Sequence, residues 1–196
     1  MTLQEAIAAH GRVNLTETND WYRWPVNPIF LPTGVVLPEG SYYAQNVALK
    51  QQLSALYSSA NTQVKKEITN YYISKWGGIK KNTDEKIRSY ALDTPASLIA
   101  KGSQGIASWS KALCIRCPND YAIYDARVAL SLNCLQIIAA VARLYSLSLQ
   151  GKTNELMKEA EWSANTPQNM VGCLHKKGVF IKNTITSFLP QLNYLT

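Results

Sequence analysis

Histidine is nearly absent from this chain. Its two histidines, His10 and His175, stand at ligand spacing neither from each other nor from any cysteine or aspartate, which leaves no histidine-based metal centre to build. Cysteine is scarce too. Cys114 and Cys117 form one C-x2-C pair, but the second pair that a zinc ribbon needs is missing, because Cys134 lies in an apolar stretch and Cys173 far beyond it. The spacing also fails to match the compact four-cysteine loop of an iron–sulfur protein. Buried free thiols are therefore expected, with no metal and no cofactor. Long uninterrupted apolar runs are lacking as well. The most apolar stretch, 123–149, carries Asp125, Arg127, Asn133, Gln136 and Arg143, which hydrocarbon would penalise, so it reads as a buried helix and no membrane partner is expected. No segment alternates apolar and polar residues for long enough to force a sheet, which makes the expected fold class all-α. The first twelve residues lack a basic stretch followed by an apolar one, so they do not read as a secretory signal, and a cytoplasmic location is expected.

Acidic residues are also in deficit. Lys and Arg number 20 against 13 Asp and Glu, a formal charge of +7, which favours a polyanionic partner without identifying it. With 46% hydrophobic residues, 196 residues suffice for one filled core or for two small lobes sharing a cleft. The stretch 16–39 is rich in proline and aromatics, among them Trp21, Tyr22 and Trp24, and predicts a long packed loop. Helical spacing of Val47, Leu49, Leu53, Leu56 and Tyr57 predicts a helix over 41–58. A second is expected over 62–76, with Val64, Ile68, Tyr71, Tyr72 and Trp76 as its stripe, ended by Gly77 and Gly78. Asn82 and Glu85 resemble a capping box opening a further helix.

Thr94-Pro95 has the preferred cap-then-proline order for a short helix reaching about Lys101. Gly102 and Gly105 then break the chain, and Ser108 is the expected cap of the next helix, Trp109 to about Arg116. Residues 94–116 thus read as helix, glycine hairpin, helix. A hairpin of this kind offers backbone N–H groups and the positive end of a helix dipole to a phosphate, although a plain helical turn has the same spacing. Asp125 follows Gly105 by 20 residues, in the context Ile-Tyr-Asp-Ala-Arg-Val, where the long helix (start about 120–133) is expected to begin. On local grounds Asp125 is a cap like many others, and Asp120 competes for that position.

Together these residues resemble the helix-hairpin-helix DNA glycosylase superfamily, in its compact prokaryotic branch related to 8-oxoguanine glycosylases. The resemblance covers about 76–133. It implies a single two-lobed helical glycosylase domain over 1–196, acting as a monomer on double-stranded DNA. It also implies DNA contacts from Gly102, Ser103, Gly105, Ser108, Lys111 and Arg127, and a catalytic role for Asp125. Glycosidic cleavage passes through an oxocarbenium-like sugar, and a fixed carboxylate can stabilise that charge and orient the attacking water. The hairpin lacks the family's usual proline. Bifunctional members carry a hairpin lysine as a nucleophile. Here Ile106 to Trp109 occupy the matching place, while Lys111 is 14 residues before Asp125 and Lys101 is 24 before it. The implied enzyme is monofunctional, with Lys111 a phosphate contact or a solvated charge.

Base excision requires the nucleotide to be flipped out and held by aromatic or apolar walls. Trp24 and Tyr124 are the preferred candidates for these walls, followed by Trp21 and Trp109; Trp76 and Tyr121 also fall near the loops expected to border the cleft. The departures from the usual hairpin favour a bulky substrate, a hypermodified phage cytosine such as glucosylated hydroxymethylcytosine removed in antiviral defence. The alternatives are repair of oxidised or alkylated bases, a non-catalytic DNA-binding module, and a helical interaction protein.

Overall fold

The computed structural model describes residues 2–14 and 23–125, and beyond them 128, 129, 132, 133, 135, 136 and 139. All regular structure among the described residues is helical. The chain divides into two compact units, one of Arg23–Ile123 and one of Met1–Tyr22 with Tyr124–Tyr194. None of the described helices is long and apolar enough to cross a membrane.

The second of these units begins with α1, Leu3–Asn14, a helix that the sequence reading did not anticipate. A reciprocal capping box starts it. The Thr2 Oγ1 accepts from the Glu5 amide at 3.1 Å and Glu5 Oε2 accepts from the Thr2 amide at 2.7 Å. His10 is half-buried on this helix, and burial lowers its pKa below the usual 6.5. The folded protein therefore binds a proton at His10 less readily than the unfolded chain does. The stabilisation is complete above pH 6.5 and is lost as pH falls through the lowered folded value. Thermal unfolding followed from pH 7.5 to pH 5 is expected to show a fall in stability that His10→Gln reduces.

The unit of residues 23–123 is built around helix α6. Its elements are a 3-10 turn at Pro28–Phe30, α2 at Tyr42–Ser59, α3 at Thr62–Asn70, a π-helical turn at Tyr71–Trp76, α4 at Asp84–Leu92, α5 at Pro95–Ile99 and α6 at Ile106–Arg116. Local chemistry starts most of them. The side chains of Ser41, Asn61, Thr83 and Thr94 each accept a hydrogen bond from the amide three residues on, as N-caps do. The capping residue of α4 is thus Thr83; Asn82, expected in that role, instead donates to Ser108 Oγ at 3.1 Å.

Every residue of α6 from Ser108 to Ile115 is buried, so this helix is packed on all sides. Cys114 and Ile115 face a core of Leu49, Leu53, Tyr57, Ile68 and Tyr72, whereas Trp109, Ala112 and Leu113 face Ile73, Ile87, Tyr90 and Leu98. Cys114 forms no disulfide and is buried in this core, which pushes its pKa up to about 11. The expected stripe on α2 holds at Leu49, Leu53 and Tyr57, but two polar residues share it: Asn46 and Lys50 are also buried. The expected continuous helix over 62–76 changes character at Tyr71. Three successive side chains, Tyr71, Tyr72 and Ile73, are buried there, and the amide of Gly77 reaches back five residues to the Tyr72 carbonyl at 3.1 Å. Gly77 ends the turn where α6 passes close. A Cβ on Gly77 would lie 2.8 Å from both the Ile73 carbonyl and Lys111 Cε.

Candidate nucleic-acid interface

Helix α5 starts as expected, with Thr94 capping and Pro95 in the first turn, and the chain reverses over 100–105. Amides of Lys101, Gly102, Gln104 and Ile106 close successive turns onto Leu98, Ile99, Lys101 and Ser103 carbonyls at 2.9–3.3 Å. Gly102 and Gly105 have φ of 56° and 71°, a left-handed backbone that glycine adopts without Cβ strain. Gly105, not Ser108, is the N-cap of α6, and no side chain caps this helix. Ser108 lies one turn in, buried, and the expectation of a serine cap is corrected: glycine conformation starts the helix earlier. Among the described residues the amides of Ser103, Gly105 and Ala107 donate to no backbone carbonyl. Ser103 and Gly105 are exposed, so the hairpin presents amides and the positive end of an 11-residue helix to solvent.

The lysines near the hairpin point elsewhere. Lys111 is 3% exposed, and its Nζ donates to the Ala107 carbonyl at 3.0 Å within its own helix. The reading of Lys111 as a solvated charge or phosphate contact is therefore corrected. Its long stem fills the space left by Gly77. Lys101 turns toward α4, donating to Ser89 Oγ at 2.7 Å and lying 3.6 Å from Asp93 Oδ2. What the hairpin itself offers an anion comes from its backbone.

Of the four expected base-contacting aromatics, Trp21 lies outside the described residues, as does Arg127 among the expected DNA contacts. Trp109 belongs to the core beside Tyr90 and Leu98, and its expected place in a base pocket is corrected. Tyr124 is half-buried in the other unit, and burial raises its pKa. Trp24 lines a cleft of about 370 Å³, together with Asn27, Phe30, Tyr71, Lys75 and Trp76. Trp76 meets Trp24 edge-on with ring centroids 6.0 Å apart and stacks on Tyr72 at 4.3 Å.

Asn46 sets this wall. Its Nδ2 donates to the Trp24 and Tyr42 carbonyls, each at 2.7 Å, and its Oδ1 accepts from Trp76 Nε1 at 2.7 Å. Replacing Asn46 by Ala removes all three of these hydrogen bonds and is expected to cost about 2 kcal/mol in denaturant unfolding. Asn46 was missed because a lone polar residue in an apolar stripe carries no sequence signal of what it binds.

Asp125 stands at the start of a helical segment in the other unit. Its Oδ1 accepts from the Val128 amide at 3.1 Å and its backbone carbonyl from the Ala129 amide at 2.9 Å, the bonding of an N-cap. Asp120 does not take that role; its amide closes a turn onto the Cys117 carbonyl at 3.1 Å. The bond to Val128 fixes one carboxylate oxygen. No family model, no curated protein and no solved structure matches the chain.

Proposed function

We propose that the chain is a monofunctional DNA glycosylase that excises a modified base, with Asp125 as its catalytic carboxylate. The observation that carries this reading is the fixing of Asp125 at a helix start by the Val128 amide, 20 residues beyond a hairpin with open amides. Backbone N–H groups at 103, 105 and 107 suit a DNA phosphate, and the +7 charge suits a polyanion. Tyr124, next to Asp125 in the chain, is the proposed wall for a flipped base. In the reaction the bond from C1′ to the base nitrogen breaks with its electron pair leaving on the base, which takes up a proton. Water then bonds to C1′ and gives up a proton, while the Asp125 charge stabilises the sugar cation between these events. The proposed substrate is a hypermodified cytosine, with oxidised or alkylated bases as the alternative.

With Lys111 buried and bonded to Ala107, no lysine of the hairpin helix is placed as a nucleophile toward bound DNA. Abasic DNA is therefore expected to accumulate uncut until alkali is added, and borohydride is expected to trap no enzyme–DNA adduct. An adduct lost in Lys111→Ala would contradict the monofunctional reading. A second reading, a non-catalytic hairpin module, is favoured by the same capping bond, since a structural cap makes that bond too. Salt-sensitive DNA binding without alkali-labile sites would select it.

A further inference from the structure

The cleft of the 23–123 unit has a chemistry of its own. It is walled by aromatic rings, and its volume of about 370 Å³ falls in the usual range for small-ligand sites. Its polar groups are donors. Tyr71 is only 7% exposed and lines the cleft, and its hydroxyl has no hydrogen-bond partner among the described residues. A tyrosine hydroxyl is a donor at neutral pH, and burial raises the Tyr71 pKa further, to about 12, so an acceptor is the partner it lacks. Asn27 Oδ1 accepts from the Ile29 amide at 3.0 Å, and its Nδ2 carries two N–H donors. Lys75 is exposed, with its Nζ 4.7 Å from the Phe30 ring centroid, and no carboxylate lines the cleft. Phe30 itself is 47% exposed, an unusual position for a large apolar ring.

We infer that this cleft binds a nucleotide unit, its oxo-bearing base against the Trp24, Trp76 and Phe30 rings and its phosphate on Lys75. Stacking tolerates any planar base. The unpartnered Tyr71 hydroxyl selects one with a carbonyl to accept its proton, and Lys75 selects the phosphorylated form. An aliphatic ligand would leave Tyr71 and Asn27 without partners, and a cationic one would meet Lys75. The inference goes beyond the proposed excision: Trp24 enters it as part of the cleft lining, and it does not depend on Asp125. The same chemistry is carried by a free nucleotide and by an unpaired nucleotide in a strand.

The test uses the full chain, titrated with thymidine monophosphate, thymidine, inorganic phosphate and a short oligothymidylate while tryptophan fluorescence is followed. Thymidine monophosphate is expected to quench the signal and to bind about 10-fold more tightly than thymidine. Tyr71→Phe removes only an unpartnered hydroxyl, so the fold is retained, and binding should weaken about 10-fold. Lys75→Met should abolish the preference for the monophosphate over thymidine. An oligothymidylate at least 10-fold tighter than the monophosphate assigns the cleft to a strand, and equal affinity assigns it to a free nucleotide; either supports the site. Absence of binding by any probe, affinities unchanged in both variants, or inorganic phosphate competing as well as the monophosphate would overturn it. Asp125→Asn should leave these affinities unchanged, which separates failure of the cleft from failure of the excision chemistry.

Discussion

Asp125→Asn is expected to slow single-turnover base excision by about 10²-fold or more, with melting temperature and DNA affinity nearly unchanged. Asparagine is as good an N-cap as aspartate, and its side-chain oxygen can keep the 3.1 Å bond to the Val128 amide. What the substitution removes is the charge that the proposed excision requires beside the sugar cation. Asp125→Ala separates the two roles, because it removes the cap as well and should lower stability by about 1 kcal/mol. If Asp125 is only a cap, Asn leaves excision per folded molecule within a few-fold of the parent and Ala affects stability alone.

The second large effect is expected at Gly105. Its φ of 71° penalises any side chain, and a Cβ there would also lie 2.6 Å from the Tyr90 hydroxyl. Left-handed strain costs roughly 1–2 kcal/mol and forced overpacking roughly 1–3. Gly105→Ala should therefore cost about 3 kcal/mol in denaturant unfolding and weaken DNA binding at every salt concentration. Gly102→Ala is the control, since its φ is 56° but nothing lies within 4 Å of a Cβ. It should cost only the backbone strain. Pairing Gly105→Ala with Tyr90→Phe should return part of the loss, because the clashing oxygen is gone. Equal costs at the two glycines would refute the close approach of Tyr90.

These residues also show which features were legible in the sequence. The helix start at Thr94-Pro95 was readable because a cap and its amide lie three residues apart, and the helix after Ser41 was readable from the spacing of its apolar residues. The start of α6 was not. It is set by a left-handed glycine, and Ser108, the residue that looked like a cap, is drawn inside by Asn82 from 26 residues away. Lys111 read as a phosphate contact or a solvated charge, as an exposed lysine would be. Its burial depends on helix packing, through the space that the missing Cβ of Gly77 leaves for its stem.

The candidate functional residues divide in the same way. Asp125 and the hairpin glycines stand out through local spacing, whereas the cleft exists only because the loop at Trp24 meets a π-helical turn some fifty residues later. Trp24 was chosen from the sequence, and Trp76 was noted near the cleft-bordering loops. Tyr71 was read only as part of a helical stripe, and Lys75 and Phe30 carried no signal. Periodicity gives no warning of a π turn, because the extra residue that shifts its phase is visible only in the backbone bonding, as in the Gly77 amide's reach to Tyr72.

Whether this chain breaks a glycosidic bond is measured most directly by base release. Duplexes carrying glucosylated hydroxymethylcytosine, 8-oxoguanine, alkylated bases or unmodified bases are incubated with the parent and with Asp125→Asn, and free bases are quantified by mass spectrometry. The expected result is release of the glucosylated base by the parent, an intact strand carrying an abasic site, and release at least about 10²-fold slower by Asp125→Asn. Release of an oxidised or alkylated base would change the substrate but keep the chemistry. No base released from any duplex that the parent binds, or equal release by parent and variant, would contradict the assignment of Asp125 as the catalytic carboxylate of a glycosylase.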